Sequence, residues 1–220
     1  MQTQDAPTDF LIKFWPWFEA NRQRVIVTSV AAVIVLFVWY FIATQQEQKA
    51  VNAGQAYTQL QLTLPPNPTV QQVADGFLKI ASQYSGTIAA ERAQLQAAAV
   101  LFSAARYADS QAQFQAFLGA NKSSSLAPAA QLGVAACLES QNKLDDAAAA
   151  YRAVTANYPN SSEALPAKFS LGRILEAQGK FADATACYQE VTRSPLAGSL
   201  ASEAAQRLSQ IAATKPAAKS

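Results

Sequence analysis

The 220-residue chain contains no histidine, one methionine, two cysteines and eight glycines, and charged residues make up only 15% of it. Without histidine the commonest general base and the commonest zinc ligand are both missing. The serine run Ser123-Ser124-Ser125 therefore has no imidazole to activate a nucleophile. Cys137 and Cys187 stand far apart in no C-x-x-C arrangement, so no spacing supports a metal or dithiol site. They form either one disulfide or, the favoured reading, two buried small apolar side chains. No glycine-rich phosphate loop occurs. The acidic pair Asp145-Asp146 suits a helix N-terminus better than proton transfer, because negative charge there meets the positive end of the helix dipole. The net charge of +2 forms no basic stripe, which argues against a nucleic-acid partner. No enzymatic activity, cofactor or metal is expected.

What the chain does have is an uncharged run, Val25 to Thr44, free of proline and glycine. As a helix at about 1.5 Å per residue it covers about 30 Å, the hydrocarbon thickness of a bilayer. Trp15 and Trp17 precede it, and Trp39 and Tyr40 lie near its far end, where interfacial anchors sit. The run is longer than a signal-peptide core and ends in a poor cleavage site, Phe41-Ile42-Ala43, so it reads as a retained single-pass anchor. Lys13, Arg22 and Arg24 precede the run while Lys49 alone follows it closely. That bias puts residues 1–24 in the cytoplasm as a tail and the rest outside. Phe10 to Phe18 is too short to span and is expected in the headgroup layer.

Beyond residue 44 the sequence repeats. Leu138-Glu139-Ser140-Gln141-Asn142-Lys143-Leu144 matches Leu175-Glu176-Ala177-Gln178-Gly179-Lys180-Phe181 at an offset of 37. The register continues through Ala147/Ala184, Tyr151/Tyr188 and Val154/Val191, and backwards through Leu101, Tyr107, Ser110, Phe114 and Phe117. It reaches Leu64, Val70, Val73, Phe77 and Ile80 in a degenerate first copy, and Ala204, Leu208 and Ile211 at the end. Each copy has the spacing of two amphipathic helices. Small residues at Ala98, Ala135 and Gly172 in the first helix, with Leu101, Leu138 and Leu175 three positions later, and at Ser110, Ala147 and Ala184 in the second, allow close approach, and the aromatics four positions after the second set, Phe114, Tyr151 and Tyr188, fill the gap. Asn142 and Gly179 mark helix–helix corners, and Ser162 is a candidate N-cap. The architecture expected is all-α: one transmembrane helix, 25–44, then a helical solenoid, 45–213. Its repeats fall at about 46–84, 88–121, 127–159 and 163–195, with a capping helix at 199–213 and a disordered tail at 214–220. Ala53, Tyr57, Leu60 and Leu64 form a stripe at helical spacing, so the span is expected to run on as the first helix of the first repeat.

The pattern resembles the tetratricopeptide repeat, most strongly over Leu171, Gly172, Leu175, Gly179, Phe181, Ala184 and Tyr188. It departs in its 37-residue period and in carrying Gln94, Gln131 and Lys168 where the characteristic tryptophan stands. The resemblance implies stacked helix pairs whose first helices line a concave face. Transferred by alignment, that face comprises Arg92, Leu95, Ala99, Phe102, Leu132, Ala136, Glu139, Phe169, Arg173 and Glu176. Such a surface suits an apolar peptide; the alternative is that several of these side chains pack between helices. The clamp by which some family members hold an acidic C-terminus is absent, since Leu95, Leu132 and Phe169 occupy its basic positions and Ala99 and Ala136 its amide ones.

Tail, span and repeat domain together are similar to the YfgM-like ancillary subunits of the bacterial protein translocon. That resemblance implies an inner-membrane protein with a periplasmic repeat domain. Its partners would be the SecYEG channel, a periplasmic prolyl isomerase or chaperone, and nascent secreted chains. The Tyr158-Pro159-Asn160-Ser161 linker also resembles those of cell-envelope assembly proteins, which would imply a fixed structural partner or self-association into a homo-oligomer.

Overall fold

A computed structural model of the chain describes residues 6–214, without the side chains of 6–18, 61 and 214. The expected headgroup contacts of Phe10 to Phe18 and the expected disorder of 215–220 lie outside what is described. Among the described residues every regular element is a helix: α1 (Ala6–Thr63), α2 (Val70–Gln83), α3 (Ile88–Ser103), α4 (Tyr107–Ala120), α5 (Ala127–Ser140), α6 (Leu144–Asn157), α7 (Ala164–Ala177), α8 (Phe181–Arg193) and α9 (Ser199–Thr214). The chain divides into two compact units, Met1–Val51 and Asn52–Ser220.

Among its described residues the first unit is helix alone. It is long and apolar enough to cross a membrane, and none of its most apolar stretch is buried within the protein. Ile26, Val33, Phe37, Trp39 and Phe41 are all exposed, whereas a core helix of a water-soluble domain hides such residues. The Thr28 and Thr44 hydroxyls donate to the carbonyls of Arg24 and Tyr40 at 2.9 and 3.1 Å. These two hydroxyls are thereby satisfied within the helix, as an apolar surrounding demands.

In the second unit each helix from α2 onward packs on the next, and the first helices of neighbouring pairs also touch, α3 on α5 and α7 on α9. This is a solenoid of the tetratricopeptide type. Its corners repeat. The N–H groups of Ala105 and Arg106 bond the carbonyls of Phe102 and Leu101; Asn142 and Lys143 bond Glu139 and Leu138; Gly179 and Lys180 bond Glu176 and Leu175, all within 2.8–2.9 Å. Each is a Schellman closure, which needs a left-handed residue after the helix. Ala105, Asn142 and Gly179 supply it with φ of 59°, 60° and 73°. The equivalent position in the first copy is Pro68, whose ring fixes φ negative. That corner cannot form, and a longer irregular link joins α1 to α2. There Thr69 and Gln72 restart the chain with a capping box. Aspartates in the first turns of α4, α6 and α8 (Asp109, Asp145, Asp146, Asp183) face the positive helix ends, which is favourable.

The core follows the 37-residue register. Ser110, Ala147 and Ala184 are fully enclosed, and Phe114, Tyr151 and Tyr188, four residues on, are buried with them. Among the glycines of α3 to α9, tight approach falls at two: an added Cβ would stand 2.5 Å from the Phe114 ring at Gly133 and 2.7 Å from the Tyr188 ring at Gly172. In the first pair Ala53 is fully buried and Tyr57 stacks on Phe77 at 5.2 Å. Close approach there falls on Gly76 against Leu60, not on the register position Val73, which is only half-buried. Both cysteines are free; Cys137 is buried 3.3 Å from the Ser110 hydroxyl and Cys187 is half-buried.

One expected cap is corrected. Helix α7 starts after Glu163 with no side-chain cap, so Ser162 does not serve. Beside it the Ser161 hydroxyl is buried without a partner. Its register equivalent, Ser124, bonds Glu91 from the preceding pair, but the position matching Glu91 is Pro128, which offers no acceptor side chain.

Ala105 carries the left-handed cost that Gly179 avoids. The Ala105→Gly variant is expected to be more stable by about 0.5–1 kcal/mol and Gly179→Ala less stable by about 1–2 kcal/mol. Denaturant unfolding of the detergent-solubilised chain, followed by circular dichroism, checks both signs.

Candidate functional site

Two buried tyrosines organise the surface above them. The Tyr151 Oη donates to Glu139 Oε2 at 2.7 Å, and Tyr188 Oη donates to Glu176 Oε2 at 2.8 Å. The other oxygen of each carboxylate meets an arginine from the next first helix. Arg173 Nη2 donates to Glu139 Oε1 at 2.5 Å, and Arg207 Nη1 lies 3.7 Å from Glu176 Oε1. The tyrosine and glutamate of the two triads are related by the repeat, but the arginines are not: Arg173 matches Gln210 and Arg207 matches Ser170. In the second pair the positions equivalent to Glu139 and Tyr151 are Phe102 and Phe114, so acceptor and donor are lost together. An unpaired buried hydroxyl or carboxylate would be costly, and the joint exchange avoids both.

Burial drives the ionisation of both phenols upward, and the neighbouring carboxylates, Glu139 for Tyr151 and Glu176 for Tyr188, push them further the same way. Both hydroxyls therefore stay protonated donors throughout the neutral range.

The triads border an open cavity of about 680 Å³. Glu139, Arg173, Glu176 and Arg207 supply its charged wall, and Leu144, Ile174, Ala177 and Phe181 its apolar floor, with Gln210 at one edge. Of the ten residues transferred from the sequence, three meet here: Glu139, Arg173 and Glu176. Leu144 and Phe181 were visible in the repeat register but not as surface residues. Arg207 was missed, because its register equivalent is Ser170 and nothing in that position signals charge.

The other transferred residues do different work. Phe169 is 5% exposed and stacks on Tyr188 at 5.5 Å, so it belongs to the core and not to the groove. The family's concave position is filled inwards because the ring has an aromatic partner beneath it. Leu95 and Phe102 are half-buried against the core of α3–α5, where Tyr107 packs edge-on to Phe102 at 5.2 Å. Leu132 packs against the C-terminal core. Ala99 borders a separate cavity of about 320 Å³ near Val70 and Ser103. Arg92 is exposed and Ala136 half-buried, both away from the larger cavity. Among the described residues no cluster of three or more His, Cys, Asp or Glu is arranged to hold a metal.

A solenoid of this corner geometry and register points to one family, and the model of the tetratricopeptide repeat-like domain matches residues 16–214. The chain belongs to the tetratricopeptide repeat-like domain family. The matched region of this repeat protein includes the apolar part of α1. Among solved structures it is similar to the TPR-like repeats of a putative kinesin light chain from Podosopora anserina. One form is 13% identical over 76% of this chain and 94% of that one, with a TM-score of 0.51. Another is 12% identical over 79% and 99%, with a TM-score of 0.50. The type III secretion translocator chaperone SycD of Yersinia enterocolitica is 18% identical over 57% of this chain and 94% of that one, with a TM-score of 0.49. These likenesses concern the fold alone. No curated protein matches the chain. Domains of this kind act as protein-interaction scaffolds.

Phenol pKa values raised above an unfolded value of about 10 stabilise the fold fully below that pH and lose the contribution as pH rises through the folded values. Tyr151→Phe and Tyr188→Phe are each expected to cost about 1–2 kcal/mol at pH 8. The difference from the parent should shrink above about pH 10. Urea unfolding at pH 8 and pH 11 checks this; equal stability of parent and variants at pH 8 would contradict it.

Proposed function

We propose that this protein is a membrane-anchored, non-enzymatic interaction scaffold that presents its C-terminal repeat groove to protein partners beside a membrane channel. The carrying observation is that one family match, residues 16–214, takes in both an unburied apolar helix able to span a bilayer and the solenoid with its open cavity. Anchor and groove are then parts of one device. Residues 25–44 would form the span, 1–24 the cytoplasmic tail and 45–213 a periplasmic repeat domain of the inner membrane. The excess of Lys13, Arg22 and Arg24 over Lys49 supports that orientation. With the resemblance to ancillary translocon subunits, this favours the SecYEG exit as the site of action. A periplasmic prolyl isomerase or chaperone and emerging secreted chains would be the partners. The apolar floor of Leu144, Ile174 and Phe181 suits unfolded or helical apolar segments.

A second reading is an envelope-assembly scaffold that holds one fixed partner or self-associates. Tyr158-Pro159-Asn160-Ser161 favours it through its likeness to such proteins' linkers.

Single cysteines introduced at Gln2 and Ser220 in a Cys137→Ala, Cys187→Ala background, with impermeant maleimide on intact cells, are expected to label at residue 220 only. Photo-crosslinkers placed at Ala177 in native membranes are expected to recover translocon subunits or a periplasmic folding factor. Labelling at residue 2 alone would overturn the orientation. A single stoichiometric envelope partner, or only a second copy of the chain, would favour the second reading.

A further inference from the structure

The cavity wall counts two acids and two bases, yet the four charges are unequally available. Both oxygens of Glu139 are engaged, by the Tyr151 hydroxyl and by Arg173. Glu176 accepts from Tyr188, and the two glutamate side chains are only 21% exposed. The arginines stand further out, at 44% for Arg173 and 38% for Arg207. Arg207 lies 3.7 Å from its carboxylate, beyond hydrogen-bond reach. A guanidinium carries five N–H donors, so Arg207 can still donate to a further carboxylate. Phe181, an aromatic residue 48% exposed, borders the same space. Its register equivalent, Leu144, is half-buried, so the exposed ring is particular to Phe181.

We infer that the cavity between α7, α8 and α9 recognises a peptide that presents a carboxylate next to a large apolar side chain, with Arg207 taking the carboxylate and Phe181 the apolar group. This rests on the protein-binding reading above and names the partner chemistry. The occupant follows from charge complementarity. The tyrosines hold the glutamates inward, so the outward-facing chemistry is cationic and apolar although the wall as a whole is neutral. The position is also distinct from the concave sites at Leu95, Leu132 and Phe169, which carry no base. A side-chain carboxylate and a chain-terminal one share this chemistry.

The test uses the full chain in detergent micelles and fluorescence anisotropy with three labelled peptides. The first is acetyl-Asp-Phe-Asp-Leu-Glu-Phe amide. The second replaces its acids by Asn and Gln and ends in a free carboxylate. The third is that neutral peptide amidated. The acidic amide is expected to bind at least about tenfold more tightly than the neutral amide, as a charge-assisted hydrogen bond implies. Arg207→Gln should abolish this preference, and Glu176→Gln, which removes the competing carboxylate, should increase it. Phe181→Ala should weaken all three alike. The second peptide distinguishes the sources: tight binding means a chain terminus suffices, and weak binding means side-chain acids are read. Equal binding of acidic and neutral amides, unchanged by Arg207→Gln, would overturn the inference while leaving an apolar protein-binding groove. If none of the peptides binds, the inference fails; crosslinking at Ala177 then judges the scaffold reading separately.

Discussion

The Tyr188 ring fills the space that Gly172 leaves open, so closely that a single methyl group there would stand 2.7 Å from ring carbon. That contact joins the two helices of the last pair, and much else depends on it. It fixes the ring, the ring fixes its hydroxyl, and the hydroxyl holds Glu176 at 2.8 Å. A carboxylate held inward leaves Arg207 on the rim of the cavity. Close packing and surface chemistry are therefore one problem in this repeat, because interiors packed at crystal density transmit position from core to surface. The third pair solves it with the same Tyr–Glu–Arg arrangement. The second pair, with Phe102 and Phe114, abandons it as a unit.

The consequence is a solenoid with two chemically different halves. Between α1 and α5 the cores are small clusters around Phe77 and Phe114. Between α5 and α9 a single larger cluster runs through both tyrosines, and the triads lie at its surface. The larger cavity opens only in that second half. If the apolar helix holds the chain in a membrane, recognition is assigned to the end of the repeats furthest in sequence from it.

Much of this was legible in the sequence because repetition exposes constraint. An offset of 37 aligned small residues, aromatics and corner residues without any other information. It could also have revealed Ala105, which stands in register with Asn142 and Gly179 but lacks their obvious turn chemistry. The first copy was harder to read for a physical reason, since Pro68 occupies the left-handed position and rebuilds the corner. The cavity wall was legible only where charge lay in register, at Glu139 and Glu176 with Arg173. Phe169 misled because aromatic size does not show which way a ring turns, and here Tyr188 draws it inward. Arg207 was invisible because it sits in a helix whose register partner at that position is a serine. Tertiary proximity alone brings it to Glu176.

Helix approach at Gly172 sets the register on which core and cavity both depend. Urea unfolding of Gly172→Ala and Gly119→Ala in detergent micelles tests it directly, since both glycines lie in helices but nothing stands within 4 Å of a Cβ at Gly119. Helix propensity alone favours alanine by about 1 kcal/mol at either site, whereas overpacking a filled core costs about 1–3 kcal/mol. Opposite signs are expected, with Gly119→Ala stabilised and Gly172→Ala destabilised relative to the parent. Gly172→Ala as stable as Gly119→Ala would contradict it.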